Sequence, residues 1–122
     1  MMDDPLAAIP LIAAGVEARM DSRGRMHVRK AQLYSGGWPQ RLAYRLGWRA
    51  DLHVQLDEYG TFYWQQINGE NSLGEIAARF AARFGHSLAD SRRAVVQFTR
   101  DLLDRRLIQL HHPAATGTED KA

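Results

Sequence analysis

The hydrophobic period of this chain changes once, at Asp57, and that change dictates most of what it can fold into. Before Asp57, Leu52, Val54 and Leu56 fall at alternate positions, the spacing of a half-buried strand. After it, Tyr63, Trp64 and Ile67 share one helical face within Gly60 to Ile67, so a short helix follows. Asn68 and Gly69 both tolerate the left-handed conformation that commonly ends a helix. Then "SLGE" forms a capping box, in which Ser72 accepts the Glu75 amide proton and the Glu75 carboxylate reaches back to the Ser72 amide. Leu73, Ile76, Ala77, Phe80 and Phe84 continue at helical spacing to a stop at Gly85.

A third helix is predicted from Ser87 to Asp90 onward to about Arg105, with Leu88, Val95, Phe98 and Leu102 on the stripe toward the core. Val96, Thr99 and Leu103 make a second, weaker stripe, read either as ligand-contacting surface or as a wide core face. "LIQL", Leu107 to Leu110, closes the fold, and residues 111–122 read as a disordered tail. Upstream, Met26 to Tyr34 reads as a strand that ends in the turn signal "SGGWP". Leu42, Tyr44 and Leu46 alternate as a further strand, joined to Leu52–Leu56 by a hairpin loop, although the same residues lie close to helical spacing. The expected class is therefore α+β, a winged-helix-like arrangement in which a small antiparallel sheet of two or three strands precedes three helices.

A chain of 122 residues with 45% hydrophobic and 25% charged residues has the composition of one globular domain. That domain is placed at 23–110. Residues 1–22 read as an N-terminal arm, either a short helix that covers part of the domain or a poorly ordered segment. Its apolar run "PLAAIPLIAAGV" opens behind Asp3 and Asp4 and is broken by Pro10, which argues against a secretory signal and is too short to span a bilayer. The expected setting is cytoplasmic, with no membrane association. Net charge is +2, and the cations are nearly all arginine, which pairs well with carboxylate or phosphate.

The sequence offers little to an enzyme. Without cysteine there are no disulfides, thiolate metal sites or cysteine nucleophiles. His27, His53, His86, His111 and His112 include no pair at the i, i+4 spacing of a helical metal site. Asp57 and Glu58 would point apart in a strand, and no nucleophile elbow or glycine-rich phosphate loop is present. No catalytic residue, metal or cofactor is expected, and any catalysis would belong to a partner.

The run "LDEYGTFYWQQINGENSLGEIAARFAARFG", followed by a helix and "LLDRRLI", resembles the PqqD-like family of peptide-binding modules, also called RiPP recognition elements, over roughly Met26 to Leu110. The family pattern falls on Leu56 and Asp57, on Tyr63 and Trp64, on Asn68 and Gly69, on Ser72, Leu73 and Ile76, and on Leu107 and Ile108. Asn68 stands where Asp is usual, and Arg106 stands where Gly commonly ends the third helix, so that terminus is expected to close differently. "LDEYG" belongs to a Leu-Asp-Glu-x-Gly branch, unlike the Leu-Asn pattern of members that serve pyrroloquinoline quinone synthesis.

The resemblance implies a non-catalytic peptide chaperone that takes up a precursor leader peptide as an added strand and presents it to a modifying enzyme of the radical-SAM class. Carried onto this chain, it implies a peptide-binding edge at Leu52, His53, Val54 and Gln55. The facing wall would be the second stripe, Val96, Thr99 and Leu103, rimmed by Arg92, Arg93 and Arg100. For any one of those arginines a solvated helix face balanced by Asp101 and Asp104 is the competing reading. Tyr63 and Trp64 are read as core. An exposed edge strand and an apolar arm together leave a homodimer open. The alternative is a winged-helix DNA-binding regulator, which the same element order and an arginine-bearing third helix also describe. Against it stand the longer connection "GHSLAD" and the acids Asp90, Asp101 and Asp104, which interrupt the basic surface.

Overall fold

A computed structural model describes residues 4–32 and 50–113. A 3-10 turn at Pro5–Ala7 leads into β1 (Ile9–Ile12), β2 (Val16–Met20), β3 (Met26–Gln32) and β4 (Ala50–Gln55). The helices α1 (Glu58–Gln65), α2 (Leu73–Phe84) and α3 (Leu88–Asp104) follow, and β5 (Ile108–His111) ends the described chain. This is the expected α+β order, with small antiparallel sheets and three helices. The expected strand at Leu42–Leu46 lies outside the described residues.

Two sheets form, both antiparallel. One has three strands in the order β2-β3-β4, the other pairs β1 with β5. The segment expected to be an arm thus contributes two strands, β1, whose partner is β5 far along the chain, and β2, which pairs with β3. Ile9 stands opposite His111 and Ile12 opposite Ile108, so pairing reaches one residue into the segment read as tail. Ala8 and Pro10 are buried by it. Pro10 lacks an amide proton and is accommodated because, among the described residues, β1 has a single partner strand.

The β2–β3 turn is organised by Asp21, whose carboxylate accepts the Arg23 and Arg25 amide protons at 2.8 and 3.0 Å. On the far side of β3, the register sets Val28 against Val54 and Lys30 against Leu52. Period 2 then sends Val28, Leu52 and Val54 toward the helices, and His27, His53 and Gln55 to the opposite face.

Helix ends behave as their sequences require. Asp57 caps α1 by accepting the Gly60 amide proton at 2.8 Å. Both halves of the Ser72–Glu75 capping box are present, at 3.2 and 2.8 Å, and Gly85 closes α2 in the left-handed region at φ 71°. These hydrogen bonds hold the Glu75 carboxyl below its ordinary pKa. At the end of α3 the left-handed residue is Arg106, at φ 60°, and its carbonyl accepts a hydrogen bond from Lys30 Nζ at 2.8 Å. The terminus therefore closes with the same backbone geometry a glycine would take, but on a side chain that resists it.

The core gathers Val28 from the sheet, Tyr63, Trp64 and Ile67 from α1, Leu73, Ile76, Ala77 and Phe80 from α2, Val95 and Leu102 from α3, and Leu107 and Ile108. Tyr63 and Trp64 are core, as expected. Burial pushes the Tyr63 hydroxyl up to about 12, opposed by its hydrogen bond with Thr99. Thr99 Oγ1 donates to the Val95 carbonyl at 2.7 Å, so in the 2.7 Å contact between the two hydroxyls Tyr63 is the donor.

Candidate functional site

The distribution of burial along α3 decides where a ligand could sit. Ser91, Val95, Thr99 and Leu102 are its buried line, at spacings of four, four and three. Thr99 thus belongs to the core, the second of the two readings of its stripe. Leu88, expected on the core stripe, is 43% exposed, because the helix starts beyond the edge of the core. Half-buried residues flank the buried line on both sides, with Ala94 and Phe98 on one flank and Val96 and Leu103 on the other. At 100° per residue, Phe98 and Val96 lie roughly 160° apart around the helix axis.

The flank that faces β4 is the one bearing Phe98. Here β4 and the start of α1 contribute Val54, Gln55, Leu56, Asp57 and Gly60 to one wall of a groove of about 230 Å³. Phe98, Asp101, Leu102 and Arg105 form the other wall. Among the described residues β4 pairs with β3 alone, so its second edge carries backbone donors and acceptors not used in that sheet. A strand laid along this edge would have its side chains alternately over the groove and over the outer face of the sheet.

Phe98 also lines a second, more apolar hollow of about 370 Å³ with Tyr59, Phe80, His86, Asp90 and Ala94. Its ring lies 5.8 Å from that of Tyr63 and 6.2 Å from that of Phe80. Tyr59 is 39% exposed and packs edge-on against Phe84 at 4.7 Å. The two hollows meet at Phe98, giving an apolar track that starts beside β4 and runs toward the α2–α3 connection.

On the sheet's outer face, His53 of β4 stacks on His27 of β3 with ring centroids 5.3 Å apart. His27 Nδ1 meets His53 Nε2 at 3.2 Å, and His27 Nε2 meets Asp21 Oδ2 at 2.8 Å. The Arg25 amide proton foremost, and then His27, hold the Asp21 carboxyl down to about 2. An ionised Asp21 fixes the proton of neutral His27 on Nε2, leaving Nδ1 to accept from His53. No group of three or more His, Cys, Asp or Glu among the described residues is arranged to hold a metal ion.

Of the expected peptide-binding residues, Val54 and Gln55 lie on the groove, Leu52 is half-buried toward the core, and His53 is on the outer face. The helix side differs. Arg92, Arg93, Val96 and Arg100 line a separate hollow on the opposite flank of α3, against Pro5 and Leu6, while Leu103 packs on the core. The wall beside β4 is made instead by Phe98, Asp101, Leu102 and Arg105. A signal for them was present in the spacing of Phe98, Leu102 and Arg105 at three and four residues, but two of the three read as ordinary core.

Among the described residues, the site is thus a strand edge of β4 set beside an apolar-walled helix. In comparison with known proteins, residues 51–108 match the family model of coenzyme PQQ synthesis protein D (PqqD), so this segment of the chain is similar to that family. The match runs from the second residue of β4 through α1, α2 and α3 to the first residue of β5.

Curated proteins named PqqA binding protein, from Xanthomonas oryzae pv. oryzae strains PXO99A and MAFF 311018, are each 37% identical to this chain over 57 residues. That stretch is 47% of this chain and 62% of theirs, so the chain spans about three fifths of the length of the curated relatives it matches. No solved structure matches the chain significantly.

Proposed function

We propose that this protein is a non-catalytic peptide-binding module that captures a precursor leader peptide by strand addition to β4 and presents it to a modifying enzyme, of the radical-SAM class. The observation that carries this reading is the second edge of β4, unpaired among the described residues, beside the Phe98–Arg105 wall inside the segment that matches PqqD. Backbone hydrogen bonds to β4 would supply affinity that any sequence can use. The hollows at Leu102 and Phe98 would select side chains at alternate positions of the peptide. Asp101 and Arg105 put one charge of each sign on the wall, favouring a peptide with matching polar residues there. Relatives named PqqA binding protein support a peptide-binding role. No helix among the described residues is long and apolar enough to cross a membrane.

The test is an amide-NMR titration of the labelled protein with a leader peptide encoded beside its gene, and separately with a nonspecific DNA duplex. Shifts from the peptide should cluster at Val54 to Asp57 and Phe98 to Arg105. Reversing Arg105 to Glu should weaken the peptide by about tenfold while leaving the rest of the spectrum in place. Salt-sensitive shifts from DNA alone would replace this reading with that of a DNA-binding regulator.

A further inference from the structure

The flank of α3 turned away from β4 carries a second binding surface with a different chemistry. Arg92, Val96 and Arg100 recur at four-residue intervals, so they form one line on the helix with the two guanidinium-bearing positions about 12 Å apart. Pro5 and Leu6 of the 3-10 turn lie against this line and, with Val96, make the floor of an open hollow. Both arginines are exposed, and among the described residues neither has an acidic partner. Arg93, on the hollow's rim, pairs with Asp90 at 3.1 Å. The rim also holds Asp4, whose carboxylate accepts the Leu6 amide proton at 3.0 Å and so fixes the turn. Asp104, one turn beyond Arg100, forms no ion pair with it.

We infer that this hollow docks an acidic, amphipathic segment of a partner protein, one that places an apolar side chain on Leu6 and Val96 and a carboxylate on each of Arg92 and Arg100. Two guanidinium groups without an acidic partner among the described residues, on either side of an apolar floor, are complementary to an acid–apolar–acid pattern repeated at helical spacing. A nucleic-acid backbone would match the charges but would leave Leu6 and Val96 against phosphate and sugar. Because this flank lies roughly 160° around α3 from the β4 groove, a segment docked here leaves that groove open, and one helix can hold a peptide and a partner at once. The inference stands independently of the leader-peptide reading.

The test uses the full chain, labelled with 15N, and a short synthetic helix carrying Glu, Leu and Glu at positions i, i+4 and i+8. The expected result is saturable shifts at Leu6, Val96 and the side-chain resonances of Arg92 and Arg100. Binding should weaken by about tenfold or more in the double variant Arg92→Glu, Arg100→Glu. That variant should instead bind a probe with Lys in place of both Glu, a charge-swap rescue that misfolding cannot produce. The inference is overturned if the probe shifts other regions or none, if the Lys probe binds the native chain as well as the Glu probe does, or if a nonspecific DNA duplex competes at these residues more tightly. Shifts at β4 in the leader titration should be unchanged in the double variant, so failure at one site is distinguishable from failure at the other.

Discussion

Tyr63 shows how a single buried hydroxyl ties the helices together and makes the fold sensitive to alkali. It joins α1 to α3 through Thr99, and its folded pKa of about 12 lies above the ordinary value of 10. A raised acid pKa contributes stability that is intact below pH 10 and is lost as pH rises toward 12. The denaturation free energy should therefore fall across that window by on the order of 2 kcal/mol, and Tyr63→Phe should flatten this slope while costing about 1 kcal/mol at neutral pH. Urea unfolding at several pH values measures both. Arg106 makes the opposite case, a residue the fold holds against its preference. Replacing it with Gly should relieve left-handed strain and raise stability by about 0.5–1 kcal/mol after the entropic cost of glycine, read as a higher urea midpoint with an unchanged slope.

At the scale of elements, the capping box of α2 should behave as an independent unit. Ser72→Ala removes the acceptor for the Glu75 amide and should cost about 1 kcal/mol, with increased amide exchange confined to the first turn of α2. Elements of this kind were legible in the sequence because their signals are local. The cap at Ser72, the stop at Gly85 and the alternation of Leu52, Val54 and Leu56 each need only neighbours within a few positions. The strands β1 and β2 were not legible for the converse reason. β1 is four residues with a proline, β2 is "VEARM" with one half-buried residue, and neither has a pattern until its partner is known. The β4 side of the site was legible as an edge. The α3 side was not, because helical spacing identifies which residues share a face but not which neighbour that face meets. The sequence left Thr99 open between ligand and core, and the approach of α1 and its Tyr63 turns Thr99 inward and presents Phe98 to the groove.

For the molecule as a whole, the pairing of β1 with β5 joins the two ends of the described chain across the base of α2. Ala8 is fully buried there, and its carbonyl accepts the Leu73 amide proton at 2.9 Å. An Ala8→Asp substitution would force an unpaired carboxylate into that contact and should destabilise the protein by about 3 kcal/mol or more, with loss of amide protection in β5 and at the start of α2 together. The closest register partners in this pair, Ile12 and Ile108, are separated by 108 minus 12, or 96, positions. On a translating ribosome that interval corresponds to roughly 5–20 s during which β1 has emerged and its complement has not been made. For that time the surface of Ala8 and Pro10 that this pairing buries is exposed, and β5, by arriving, withdraws a sticky edge from circulation.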